Sequence, residues 1–537
     1  MTSAEAGQTA GQSVERAGPG RLSPTPVVEL INAFSVPYDN AVATARTCYN
    51  SKVVYPEDVS RTEKARSLRD RIAASIYQAG HHTTIQHPTF QFVLKRVSRQ
   101  FIWSFLHSHP FYNSEQVSQR YVKVKAGRWT VPALPSEDAV DVFEQTCRAL
   151  AADYKKLCEV LEPHAARVYF GVFKGRNPED KRWKAAVRKR AYESARYVLP
   201  VATHAHLYHT ISGLTLHRYH RLADLFDAPE EQRLVVDAMV QAVRELDADF
   251  FKVIEDPLAL EDTPEYELYE RFHGSGGATG AAWREEFDAS LEGRTAKLID
   301  WKVRGEETIA AAVRSVLGVP RAELDDAAAI ALALDPKANP ALTGALNISH
   351  HSKLTRALQH GHFSFRKVLS HSADSQDQRH RMVPGSRPIL AAQLGERPDV
   401  IAPRLIAEND DARELFKAST QRAWDAMNRL RELGASPESA LYLLPNAGKI
   451  RFEESGDLLN LRHKWSLRLC YLAQEEIFAA TRDEVQQVRE VSPRIGALIG
   501  PPCWSRHRLG VKPYCPEGDR FCGVRVWELD LDDYDRF

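Results

Sequence analysis

Apolar positions along this chain follow two alternating rhythms. Around Val28-Glu-Leu-Ile-Asn32 they fit a short strand, and the small apolar run from Ala41 to Arg46 fits a helix. Phe90 and Phe92 are two apart, so on an extended segment both face one side. Further on, Val235, Val236, Met239, Val243 and Leu246 fall on one stripe of a 3.6-residue helix. Strands and helices interleave, which predicts an α/β (α+β) chain.

The same succession occurs twice. Val28 to Asn32 is matched 268 residues later by Ala296-Lys-Leu-Ile-Asp300, and Ala41 to Arg46 by Ile309 to Arg314 at the same spacing. Gln86-His87-x-x-Phe90-x-Phe92 is matched after 273 residues by Gln359-His360-x-x-Phe363-x-Phe365. Glu193-Ser-Ala-Arg-Tyr-Val-Leu-Pro200 is matched after 245 residues by Glu438-Ser-Ala-Leu-Tyr-Leu-Leu-Pro445. The anchors keep their order, so duplication explains them better than chance. The expected organisation is a disordered tail over 1–25, a first copy over 26–270 and a Gly-rich linker over 271–292. A second copy over 293–490 and a Cys- and Pro-rich segment over 491–537 complete it. A fused repeat usually stands in for a homodimer. The copies are therefore expected to form a pseudo-dimer in which each is free to lose what the other supplies.

Composition then narrows the function. Lys plus Arg and Asp plus Glu are both 71 of 537 residues, so no basic field marks a nucleic-acid binder. No run approaches the ~18–20 apolar residues that span a bilayer. The first 25 residues lack the apolar stretch of a signal peptide. Seven thinly spread Cys suit a reducing cytoplasm. Near the end, Cys503, His507, Cys515 and Cys522 could hold a tetrahedral zinc ion. The alternatives are a loop with free thiols or a disulfide.

Several segments resemble flavin-dependent thymidylate synthases. In the first copy, Gly80-His-His-Thr-Thr-Ile-Gln-His87 with its Phe pair is similar to that family's Gly-His-x-Thr-x-x-Glu-His-x-x-Phe-x-Phe, with Gln86 in place of Glu. Arg99-Gln100, then Tyr112-Asn113 through Ser118-Gln119-Arg120-Tyr121, resembles the signature Arg-His-Arg-x-x-Ser-x-Asn-Glu-x-Ser-x-Arg, but only in its second half. Ala195-Arg196-x-Val198-Leu199-Pro200 matches a further family segment. In the second copy, Gln376-Asp-Gln-Arg379-His380-Arg381 resembles the first half of the signature, and Met382-Val-Pro-Gly-Ser386-Arg387 lacks the rest. Leu459-Asn460-Leu461-Arg462 and Ala473-Gln-x-Glu-Ile477 resemble the family's late helix, and Leu441 stands where the first copy has Arg196.

The resemblance implies, for each copy, a central mixed sheet with flanking helices. It implies methylation of dUMP by methylenetetrahydrofolate, with FAD supplying hydride and NADPH reducing the flavin. It assigns Ser118, Arg120 and Arg196 to the phosphate. Gln376, Arg379 and Arg462 fall to the uracil ring, with Arg379 and Arg462 stabilising charge there. His81, Thr83, Gln86, Arg379, His380 and Arg381 fall to FAD. Ser118 and Arg120, two apart, are expected on one side of an extended strand. One working site split between the copies is expected, with Arg387 dispensable, in a homodimer of pseudo-dimers. Alternatives are another pyrimidine C5-modifying flavoenzyme and a non-catalytic nucleotide or flavin binder.

Overall fold

A computed structural model describes residues 17–107, 109–124, 127–274 and 279–536. Of the expected tail, residues 1–16 lie outside the described residues, as do Gly276 and Gly277 of the linker. Two four-stranded sheets carry the fold. The first contains β1 (Val27–Ala33), β2 (Thr89–Ser98), β3 (Tyr112–Gln116) and β4 (His204–Ser212), in the order β1-β2-β4-β3. The second contains β5 (Ala296–Trp301), β6 (His362–Ser370), β7 (Gly385–Ser386) and β8 (Lys449–Asp457), in the order β5-β6-β8-β7. The orders are the same when the second set is read as a copy of the first. Even a local irregularity repeats: the register of β1 against β2 slips between Leu30 and Asn32, and that of β5 against β6 between Leu298 and Asp300.

Every strand pair is antiparallel, where the resemblance implied a mixed sheet. Such sheets need cover on one face only. In β2 the buried side is Phe90, Phe92 and Leu94, and in helix Pro229–Leu246 it is Val235, Val236, Met239 and Val243. The opposite face differs between copies. On the second sheet it is covered by helix Thr279–Ser290, within the segment expected as linker. Asp288 takes two bonds from Arg451, both 2.7 Å, and the Arg366 guanidinium lies over Phe287. On the first sheet Tyr208 of β4 is 53% exposed. The C-terminal segment packs onto the second core through Ile495, Ile499, Val526, Leu531 and Tyr534. Among the described residues no helix is long and apolar enough to cross a membrane.

The two copies meet about a pseudo-two-fold axis at the third sequence anchor. Pro200 and Pro445 form an antiparallel bridge. Around it the backbone bonds are reciprocal. Val201 N donates to Leu444 O at 2.8 Å and Asn446 N to Leu199 O at 2.9 Å; Ala202 N donates to Tyr442 O and Ala447 N to Tyr197 O, both at 2.9 Å. The side chains repeat the exchange. Glu231 accepts from Ser98 N, Ser98 Oγ and, across the interface, Tyr442 OH at 2.8 Å. Glu476 accepts from Ser370 N, Ser370 Oγ and, across the interface, Tyr197 OH.

Burial pushes Glu231 up to about 7, from 4.5. A carboxyl with a raised folded pKa stabilises most when protonated, so its share is complete below the unfolded pKa and fades as pH rises through the folded one. A shift of this size is on the order of 3 kcal/mol. Glu231→Gln should therefore flatten the fall of stability between about pH 4.5 and 7, read from denaturant midpoints; an unchanged slope would refute this.

Candidate functional site

The site lies where the two halves of the signature meet. In the first copy, β2 ends at Ser98 and Arg99 opens helix Arg99–His107. Arg99 is buried and donates from Nη1 to Gln116 Oε1 at 2.8 Å and from Nη2 to Val117 O. After β3 the chain turns. Val122 N donates to Ser118 O at 3.1 Å and Arg120 N to Ser118 Oγ at 3.2 Å. The strand expected through Ser118 and Arg120 is therefore a turn. Its cause is Gln119, which is buried and accepts a bond from Asn446 of the second copy. Arg120 pairs with Glu193 at 3.3 Å and donates to Leu472 O of the second copy at 2.9 Å. Arg196, at the end of helix Lys181–Ala195, is buried, donates from Nε to Glu193 O and leaves Nη2 without a partner.

The second copy supplies the turn after helix His371–Asp377. Arg379 Nη2 lies 3.2 Å from Glu115 Oε2 of β3, and Arg381 Nη2 donates to Asn113 Oδ1 at 3.0 Å with its guanidinium over Tyr112. Asn113 and Glu115, whose register was open in the sequence, thus sit against the Arg-His-Arg of the other copy. Arg468, the last residue of helix Leu458–Arg468, donates to His380 Nε2 at 2.8 Å and to Gln376 O at 3.0 Å.

Five guanidinium groups, Arg99, Arg120, Arg196, Arg379 and Arg468, feel one another's charge. Burial, then Arg196 and Arg379, push Arg99 down to about 9. Burial pushes Arg468 down to about 10, with Arg379 and Arg120 adding to it. Glu193 is held at about 2: burial works against its charge, but Arg120, Arg536, Arg190 and Arg196 prevail. The pseudo-symmetric place is different. Leu441 is buried there, and burial pushes Glu438 and Asp227 both up to about 7, with no cation offsetting it. One of the two related places is thus crowded with cations and the other is not. Arg99 Nε and Arg196 Nη2 are buried donors without partners, and a buried donor calls for an acceptor.

Other sequence candidates stand apart. Arg462 is half-buried on the helix that ends in Arg468, leaves Nε unpartnered and acts on His463 rather than on the five arginines. His81, Thr83 and Gln86 are exposed at the turn before β2, and no hydrogen bond or ion pair among the described residues joins them to Arg379, His380 or Arg381. The zinc set does not form: among the described residues no three His, Cys, Asp or Glu groups could hold one ion. His507 packs its ring edge-on against Tyr514 instead. Arg387 is far from idle. Its side chain is 9% exposed, donates to Asp374 at 2.9 Å and lies over Phe452 at 4.0 Å. It belongs to a buried network in which Lys367 and Lys464 face Asp377, Glu454 and Glu484. Sequence reasoning missed this network, and it left Arg99 and Arg468 out of the site although Arg99-Gln100 had been noted.

A profile of the thymidylate synthase complementing protein family matches residues 29–247 and again 297–494. The chain belongs to this family. A flavin-dependent thymidylate synthase of Geobacter sulfurreducens is 28% identical over 181 residues, covering 33% of this chain and 73% of that protein. One from Nitratidesulfovibrio vulgaris is 27% identical over 231 residues, covering 42% of this chain and 85% of that protein. Among solved structures, the UMP/dUMP methylase PolB from Streptomyces cacaoi is 18% identical with a TM-score of 0.31, covering 43% of this chain and 95% of that one. As a member of the thymidylate synthase complementing protein family, the chain carries the family domain twice, once per sheet.

Proposed function

We propose that the chain is a flavin-dependent thymidylate synthase that converts dUMP to dTMP with methylenetetrahydrofolate, FAD and NADPH, at one site shared by both copies. The reading rests above all on Arg99 Nε and Arg196 Nη2, buried donors left unpartnered where guanidinium groups from both copies crowd together. A nucleotide monophosphate is a dianion and suits such forks. Ser118, Arg99, Arg120 and Arg196 face the phosphate, with Arg120 already partly engaged by Glu193. Gln376, Arg379 and Arg462 serve the uracil ring, where a cation near a carbonyl stabilises charge that builds during attack by C5.

FAD supplies the hydride when bound. His81, Thr83 and Gln86, together with Arg379, His380 and Arg381, would hold it. An exposed turn bearing imidazole, hydroxyl and amide groups fits a polar cofactor, and nearby Thr84 Oγ1 is buried without a partner. A homodimer of pseudo-dimers in the cytoplasm, paired through the bare face of the first sheet, would bring a second chain to this turn.

Related chemistry at pyrimidine C5 is the second reading. It is favoured by Gln86 standing where the family has Glu and by the lost Asn-Glu after Arg381. Incubation with dUMP, methylenetetrahydrofolate, FAD and NADPH separates the two, since mass analysis should find dTMP. A hydroxymethyl product would favour the second reading. Absence of both product and flavin binding by fluorescence titration would leave a non-catalytic protein.

A further inference from the structure

Four cysteines far apart in the chain line one cavity. Cys470 follows helix Leu458–Arg468, Cys503 lies in helix Pro502–Leu509, and Cys515 and Cys522 flank the short turn Gly518–Arg520. They surround a space of about 230 Å³, and Arg120, Arg468 and Glu517 complete its polar wall. Prolines and apolar side chains form the rest. None of the four is in a disulfide. The other three cysteines lie elsewhere: Cys147 and Cys158 are in the long helix Glu137–Val172, and Cys48 follows the helix after β1.

A single zinc ion does not fit this arrangement. Zn–S bonds of about 2.3 Å place the four sulfurs of a tetrahedral site about 3.8 Å apart. Here no three ligands come close enough to hold one ion. The thiols face a void rather than a point, yet each is near enough to disturb the next. Burial, then Cys470, Cys515 and Cys522, push Cys503 up to about 12, and burial followed by Cys522 pushes Cys470 up to about 11. Such thiols are inert unless a cation binds and deprotonates them.

We propose that Cys470, Cys503, Cys515 and Cys522 hold an iron–sulfur cluster. In such a cluster the thiolates bind iron atoms that are joined by inorganic sulfide, so the cysteine sulfurs stand farther apart than around one ion and enclose a volume. The charge fits as well. Four thiolates leave the assembly net negative, and two cations of the wall, Arg120 and Arg468, against one carboxylate, Glu517, stand beside it without leaving the arginine cluster described above. The cluster and the arginine site would therefore share a wall. This inference rests on the cavity and does not require that dUMP be the substrate.

The test uses the full chain, purified under argon without an affinity tag and reconstituted with ferric iron, sulfide and dithiothreitol, so that the iron arrives oxidised and the thiol supplies the electrons that set the cluster's resting state. Iron and acid-labile sulfide are expected in equal amounts, with an electron paramagnetic resonance signal on dithionite reduction. Both should be lost in the Cys515→Ser/Cys522→Ser variant and kept in Cys48→Ser. Iron without sulfide, zinc in place of both, or full iron content in the double variant would overturn the proposal. The wild-type metal and sulfide analysis decides the matter even if the double variant fails to fold.

Discussion

Arg387→Ala should lower the stability of the folded chain by about 3–5 kcal/mol, the usual cost of removing one partner from a buried ion pair. Three cations, Lys367, Lys464 and Arg387, share a buried site with Asp374, Asp377, Glu454 and Glu484. Burial and the neighbouring Asp377 push Glu454 upward, toward the protonated form. Losing Arg387 exposes Asp374 most. Burial opposes its charge, but Arg387 and His107 hold its pKa well below the usual carboxylate range. Asp374 also accepts from the Trp103 indole of the first copy at 2.8 Å, so the damage reaches the interface between copies. Denaturant titration of Arg387→Ala, Asp374→Asn and the double variant gives the coupling. A loss below about 1 kcal/mol for Arg387→Ala, the range of an exposed pair, would contradict this account.

Arg196→Met and Arg379→Ala should each weaken dUMP binding about ten- to a hundredfold, from a loss of about 1.5–3 kcal/mol per charge-assisted contact. The two residues come from different copies, and both act on Arg99 electrostatically. Arg422→Ala, which removes an outlying pair with Asp153, should leave binding unchanged. Isothermal titration with dUMP reads all three. If Arg196→Met and Arg379→Ala behave like Arg422→Ala, the arginine cluster is not the nucleotide site.

Much of the fold was legible because local rules and repetition point the same way. The period-two Phe pairs lie in β2 and β6, and the apolar stripe from Val235 lies in helix Pro229–Leu246. The third anchor proved to be the axis itself, since Tyr197 and Tyr442 exchange hydroxyl bonds with Glu476 and Glu231. The site was less legible. Ser118 and Arg120 have strand spacing, and only a distant residue, Asn446, explains why the chain turns there. Lys367 alternates onto the same side of β6 as Phe363 and Phe365, yet a lysine there does not by itself name the carboxylates that meet it. Its counterpart in the first copy, by register against β4 and β1, is Leu94. Nothing in the spacing of Lys367, Glu454 and Glu484 announces that folding will bring them together. Cys503, Cys515 and Cys522 lie close in sequence, whereas Cys470 reaches the same cavity from just past the end of helix Leu458–Arg468.

The reciprocal crossing at Pro200 and Pro445 has a thermodynamic side. Two free subunits joined there would separate on dilution, and their contact would have to overcome the entropy of bringing two bodies together. Within one chain that loss is largely met by the linker, which holds the halves at an effective concentration on the order of millimolar. Dilution cannot part them. A crossing of this kind need not be apolar enough to assemble from solution, and it can carry buried Asn446, Glu231 and Glu476 at its centre.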